Sequence, residues 1–122
     1  MTLLDTNALI WLQQGHRRAR PLIHAPRLYL SPATVLELQF LVEAGKLRFR
    51  DSGTLSAVTS DPRWALDEPP AGRWFTEAAE LSWTCDPFDR LIVAHAHVRR
   101  WRLATGDASL IEQLGPTRTL PL

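Results

Sequence analysis

The side chains able to do chemistry in this sequence are carboxylates. Two stand close together, Asp86 and Asp89, in the run Cys85-Asp86-Pro87-Phe88-Asp89-Arg90-Leu91-Ile92-Val93-Ala94. Asp followed by Pro starts a helix, because Asp caps free N–H groups and Pro fits the first helical position. Asp89 falls three residues after the cap, where its charge suits the positive end of the helix dipole. The residues beyond are apolar almost all round, so this helix is expected to be a core element. Capping alone would explain both acids. Three more acids change the balance: Asp5 after Thr2-Leu3-Leu4, Glu37 inside Val35-Leu36-Glu37-Leu38, and Asp107 after Leu103-Ala104-Thr105-Gly106. A solvated helix face would account for Glu37, but the polar Gln39 lies about 200° round the helix from it.

Several carboxylates within a few Å repel one another and, if unpaired, take up protons. A hard divalent cation relieves that repulsion, and oxygen-only ligation points to Mg²⁺ or Mn²⁺. Such an ion lowers the pKa of a bound water and stabilises charge on a phosphoryl group. Other chemistries lack their residues: there is no P-loop, GxGxxG, GxSxG or Cys/His cluster. His95 and His97, two apart on one helix, point away from each other and read, like His16 and His24, as structural or solvated. The widely spaced Trp residues read as core.

The elements that must position these acids alternate along the chain. A strand at residues 2–4 leads into a helix capped by Asp5 or Thr6 and ended near Gly15. Residues 16–20 form a basic, solvated segment, and the piece between Pro21 and Pro26 is left unassigned. A strand at 28–31 feeds a helix opened by Ser31 or Pro32 and closed by Gly45. An extended link at 46–50 and a short helix at 53–60 follow. Four prolines or glycines punctuate residues 61–72, which read as a loop with one short strand. A helix at 74–81 is expected to turn Trp74, Phe75, Ala78 and Leu81 inward. The Asp86 helix then runs to Arg99, followed by a strand at 102–105, a helix to Leu114 and a last strand at 117–120.

This order implies an α/β fold, a central mostly parallel sheet with helices on both faces. Ligand sites in such folds lie at the C-terminal ends of the strands. Asp5 ends one strand and Asp107 follows another, while Asp86 and Asp89 begin a helix and Glu37 lies one to two turns into another. Four separate segments thus direct carboxylates to one rim.

Composition sets the bounds. A chain of 122 residues, 45% hydrophobic, suits one compact domain over residues 1–122. A strand beginning at the second residue leads us to expect no preceding domain or signal peptide. No apolar run approaches a membrane span, and the one cysteine, Cys85, excludes an intrachain disulfide and fits a cytoplasmic location. Net charge is only +1, from fourteen basic and thirteen acidic residues. With five acids gathered in one site, the rest carries fourteen positive against eight negative charges, a weak pointer to a polyanion.

The segments Leu4-Asp5-Thr6-Asn7, Ser31-Pro32-Ala33-Thr34-Val35-Leu36-Glu37, Asp86-Pro87-Phe88-Asp89-Arg90-Leu91-Ile92-Val93-Ala94 and Ala104-Thr105-Gly106-Asp107 together resemble the PIN domain. More narrowly, they resemble the VapC ribonuclease toxins of type II toxin–antitoxin systems. The likeness spans essentially the whole chain, and the compressed, Pro-rich region 61–72 departs from it. It implies a three-layer PIN-like sandwich in which Asp5, Glu37, Asp89 and Asp107 are the metal-site acids, Asp86 is an accessory acid, and Asn7 and Thr105 support the site. It also implies Mg²⁺- or Mn²⁺-dependent RNA cleavage, a homodimer or larger assembly, and an antitoxin partner that blocks the active-site groove. It assigns no RNA-binding residue. The alternatives are a catalytically inactive PIN-like module that binds RNA or protein, and a phosphotransfer receiver. The receiver would need adjacent N-terminal acids and a late Lys, and the only Lys is Lys46.

Overall fold

The computed structural model describes residues 1–48 and 55–122. Five strands, β1 (Thr2–Leu4), β2 (Leu28–Leu30), β3 (Ala65–Leu66), β4 (Arg102–Thr105) and β5 (Thr119–Pro121), form one sheet in the order β3-β2-β1-β4-β5. Every pairing is parallel, so all five strands end on the same rim.

Side-chain alternation along each strand builds two cores. Leu3 lies in register with Tyr29 and Leu103 and faces one side of the sheet; Leu4, in register with Ala104, faces the other with Leu30. On the Leu4 side pack α1 (Thr6–Gln14), the 3-10 helix Arg17–Leu22, α3 (Leu55–Thr59) and Leu38 of α2 (Pro32–Glu43). On the Leu3 side pack α4 (Ala71–Ala79), α5 (Pro87–Arg99) and α6 (Ala108–Leu114). The result is a helix–sheet–helix sandwich whose central strand β1 is buried on both faces, while the edge strand β3 stays exposed.

Helix boundaries follow their caps. Asp5, Ser31, Asp86 and Asp107 each accept a backbone N–H from the first turn of α1, α2, α5 and α6. Gly15 ends α1 in the left-handed region at φ 69°, where a side chain would be strained.

Five expectations need adjustment, beginning with the helix expected at 74–81, which starts directly after Pro70 and spans Ala71–Ala79. The segment 16–20, expected to be solvated, instead forms with Pro21 and Leu22 the 3-10 helix Arg17–Leu22, because Ala19 and Leu22 reach the core at a spacing of three. The last strand lies at Thr119–Pro121 rather than 117–120. In the fourth helix Phe75 is 55% exposed while Trp74 and Ala78 are buried, since a four-residue repeat aims at the sheet and the neighbouring Phe cannot share that stripe. The extended link and the start of the short helix at 53–60 lie partly outside the described residues; within them α3 begins at Leu55.

Leu30 is fully buried in β2, so Leu30→Ala should lower unfolding free energy by about 2–5 kcal/mol. Phe75→Ala should change it by no more than about 0.5 kcal/mol. Chemical denaturation measures both, and equal losses would contradict the assigned burial.

Candidate active site

Four elements deliver acids to the C-terminal rim. Asp5 follows β1 and is 7% exposed; its Oδ1 accepts the Ala8 N–H at 2.7 Å, and the Thr105 hydroxyl lies against the same carboxylate as a donor. Thr105, buried at the end of β4, also accepts the Asp107 N–H at 3.0 Å. One threonine thereby ties the β1 acid to the β4 acid. Asp107 itself is exposed, and its Oδ1 caps α6 through Ser109 and Leu110.

Glu37 projects from the middle of α2, half-buried, and accepts a short hydrogen bond from the Thr6 hydroxyl of α1. The sequence marks Thr6 only as a possible helix cap; the structure makes it the residue that orients Glu37. The signal available was weak: Thr6 follows the first acid, and its partner lies 31 residues away.

On α5, Asp86 and Asp89 take different parts. Asp86 is exposed and its Oδ1 caps the helix, accepting Phe88 N–H at 2.8 Å and Asp89 N–H at 3.2 Å. Asp89 is half-buried and accepts no hydrogen bond among the described residues. Asn7, expected to support the site, is exposed on the first turn of α1 and shows no hydrogen bond among the described residues.

The electrostatics show how closely the acids are gathered. Burial, then the charges of Asp86, Glu37, Asp107 and Asp5, push Asp89 up to about 7. Asp89 thus feels all four others. Asp5 rises to about 6, mainly through burial, opposed by Thr105 and the Ala8 N–H and assisted by Asp107 and Glu37. Glu37 is raised by burial and Asp86 against the Thr6 hydrogen bond.

Among the described residues, no three His, Cys, Asp or Glu side chains are already drawn together as a metal-holding group. The donor set nonetheless fits a hard divalent cation: all donors are oxygen, and each cap uses only Oδ1 of Asp86 or Asp107. His95 and His97 contribute nothing here. His95 is wholly buried and binds Asp67 at 2.7 Å, while His97 faces Glu77.

Comparisons with known proteins show the family and the fold. The family model of the PIN domain matches residues 2–114. The fold is similar to a chain of a toxin–antitoxin complex from Klebsiella pneumoniae, with TM-score 0.70 and 21% identity over 98% of this chain and 96% of that one. It is also similar to a chain of VapBC2 from Rickettsia felis, determined with a promoter DNA fragment, with TM-score 0.66, 19% identity and coverage of 98% and 96%. A chain of FitAcB from Neisseria gonorrhoeae matches with TM-score 0.56, 22% identity and 88% of each chain. No curated protein matches the chain.

The raised acids give a pH prediction whose sign is unusual. A carboxyl with a folded pKa above its ordinary value stabilises the fold fully at low pH and loses that contribution as pH rises through the folded value. For Asp5 and Asp89 the loss runs from about pH 4 through 7. In chelator, melting temperature should therefore fall with pH across this window, and less steeply in Asp89→Asn. Comparing the two proteins removes the opposite contribution of His95 and His97, whose pKa values burial lowers. Parallel curves for wild type and Asp89→Asn would mean that Asp89 is not coupled to the other acids.

Proposed function

The chain belongs to the PIN-domain family, and from that premise we propose that it is a Mg²⁺- or Mn²⁺-dependent endoribonuclease of the VapC kind, the toxin of a type II toxin–antitoxin pair. The observation that carries the reading is the convergence of charge on Asp89 from Asp5, Glu37, Asp86 and Asp107. A fold needing only a helix cap has no use for five acids on one rim. The antitoxin partner rests on the relatives, which were determined as toxin–antitoxin assemblies. A homodimer, a cytoplasmic location and a single domain over 1–122 complete the proposal. Among the described residues no helix is long and apolar enough to cross a membrane.

Asp5, Glu37, Asp89 and Asp107 would hold the cation. When bound, a divalent ion would lower the pKa of an attacking water and neutralise charge gathering on the phosphoryl oxygens. The chain's own residues do the rest by fixing geometry. The Ala8 N–H and Thr105 hydroxyl hold Asp5 with one orientation, and the Thr6 hydroxyl does so for Glu37. Asp86 holds the first turn of α5, and with it the backbone of Asp89. Asp89, carrying a proton part of the time near neutral pH, must lose it at its carboxylate for the site to accept a cation.

RNA cleavage should stop in chelator and return with Mn²⁺. At a hundredfold excess over its dissociation constant, one Mn²⁺ should stabilise the fold by about 2.7 kcal/mol. Asp89→Asn should lose cleavage by about 100-fold or more. Asp86→Asn should keep a measurable share, because Asn caps a helix about as well as Asp. Initial rates on a mixed-sequence RNA decide the matter. An Asp89→Asn protein as active as wild type would remove the acid cluster from the chemistry, and wild type that binds RNA without ever cutting it would leave a PIN-like binding module.

A further inference from the structure

Asp107 is exposed on the turn from β4 into α6, and to share a cation with Asp5 it must keep a fixed place relative to that acid. Its own cap hydrogen bonds orient it relative to α6. They do not tie that turn to α1, where Asp5 lies. A second set of contacts does. The guanidinium of Arg18, at the start of the 3-10 helix, lies 4.3 Å from the ring centroid of Trp11 on α1. Its Nη2 donates to the backbone oxygen of Leu122 at 2.8 Å and reaches the carbonyl oxygen of Gly106 at 3.4 Å.

Leu122 closes the circuit. Its N–H donates to the carbonyl oxygen of Thr105 at 3.0 Å, and the Thr105 side chain is the one shared by Asp5 and Asp107. The turn also packs without slack. A Cβ on Gly106 would stand 2.6 Å from the Trp11 ring and 2.7 Å from Arg18 Nη2. Gly106 is therefore needed for close approach, since the Trp11–Arg18 pair occupies the space a side chain would fill.

We propose that Arg18, held against Trp11, is a positioning residue that clamps the Thr105-Gly106-Asp107 turn and so sets Asp107 for cation binding. The inference rests on the ribonuclease reading and adds to it a residue far from the acids in sequence. Arg18 acts through backbone oxygens; it is not a catalytic residue. The competing role for an exposed arginine beside this rim is to hold an RNA phosphate.

Two variants of the full chain test it. Arg18→Met keeps an apolar stem against Trp11 and removes the donors. Gly106→Ala removes no charge and pushes the clamp away from the turn side. Both should remain folded by circular dichroism. Calorimetric titration with Mn²⁺ alone should show affinity weakened by about 10- to 100-fold, the range for groups that orient metal ligands. With RNA, kcat should fall while KM stays level. Wild-type Mn²⁺ affinity in either folded variant overturns the clamp and leaves the ribonuclease reading standing. A raised KM in Arg18→Met with kcat and Mn²⁺ affinity intact overturns it in favour of a phosphate contact. A wild type that binds no Mn²⁺ overturns the ribonuclease reading, and the clamp falls with it.

Discussion

Repulsion among carboxylates is the constraint around which this fold is arranged. Five acids from four segments are directed to one rim, and the costs appear as the raised pKa values of Asp5, Glu37 and Asp89. The scaffold tolerates the crowding through helix ends. Asp5, Asp86 and Asp107 are the N-caps of α1, α5 and α6, and Asp89 lies in the first turn of α5. The positive ends of three helices thus open onto the rim, each favouring negative charge by about 0.3–1 kcal/mol. Capping and site-building are here one arrangement: the hydrogen bonds that start each helix also fix each acid. Glu37 alone lacks a helix end, and the Thr6 hydroxyl takes over that part.

Such an arrangement needs a rigid frame behind it, and α5 is braced at both ends. Near its start, Arg90 donates to the carbonyl oxygens of Thr84 and Ala79. Near its end, Asp67 receives Arg99 and the buried His95 together. Asp67 follows β3, so this group ties the far end of α5 to the edge of the sheet. Against the effect of burial, the Arg99 guanidinium and the His95 N–H hold the Asp67 carboxyl below its usual range, while burial lowers the pKa of His95. His95 Nε2 donates to Asp67, which leaves Nδ1 buried without a partner among the described residues. That unpaired nitrogen favours the neutral ring, because a proton there would find no acceptor.

What could be read from the sequence was what is local in it. Asp86-Pro87, Ser31-Pro32 and Gly106-Asp107 announce helix starts because a cap and its donors lie within three residues. The apolar runs at 2–4 and 102–105 announce strands buried on both faces. The rim followed from topology, since parallel strands all end on one side. What stayed hidden depends on contacts across long stretches of chain. Thr6 meets Glu37 over 31 residues, and Arg18 meets Gly106 and Leu122 over 88 and 104. Phe75 shows a subtler limit. Its neighbour Trp74 takes the core-facing stripe, and composition alone does not say which of two adjacent aromatic residues will.

The same long-range contacts change the meaning of the charge balance. Gathering five acids at the rim leaves a basic excess elsewhere, which reads as a surface for a polyanion. Much of that excess is already engaged. Arg18 holds the Gly106 turn, Arg63 holds Asp61 and the Leu12 carbonyl, Arg90 holds Thr84 and Ala79, and Arg99 holds Asp67 and Glu68. In each case the planar fork reaches a backbone carbonyl, a contact that several fixed donors make better than a single ammonium. For these four of the thirteen arginines, the fork explains the residue type without reference to nucleic acid. Arginines bound in this way add to the long-range field but cannot turn to meet a phosphate without releasing the frame. A polyanion drawn by that field would therefore meet the arginines that make no such brace.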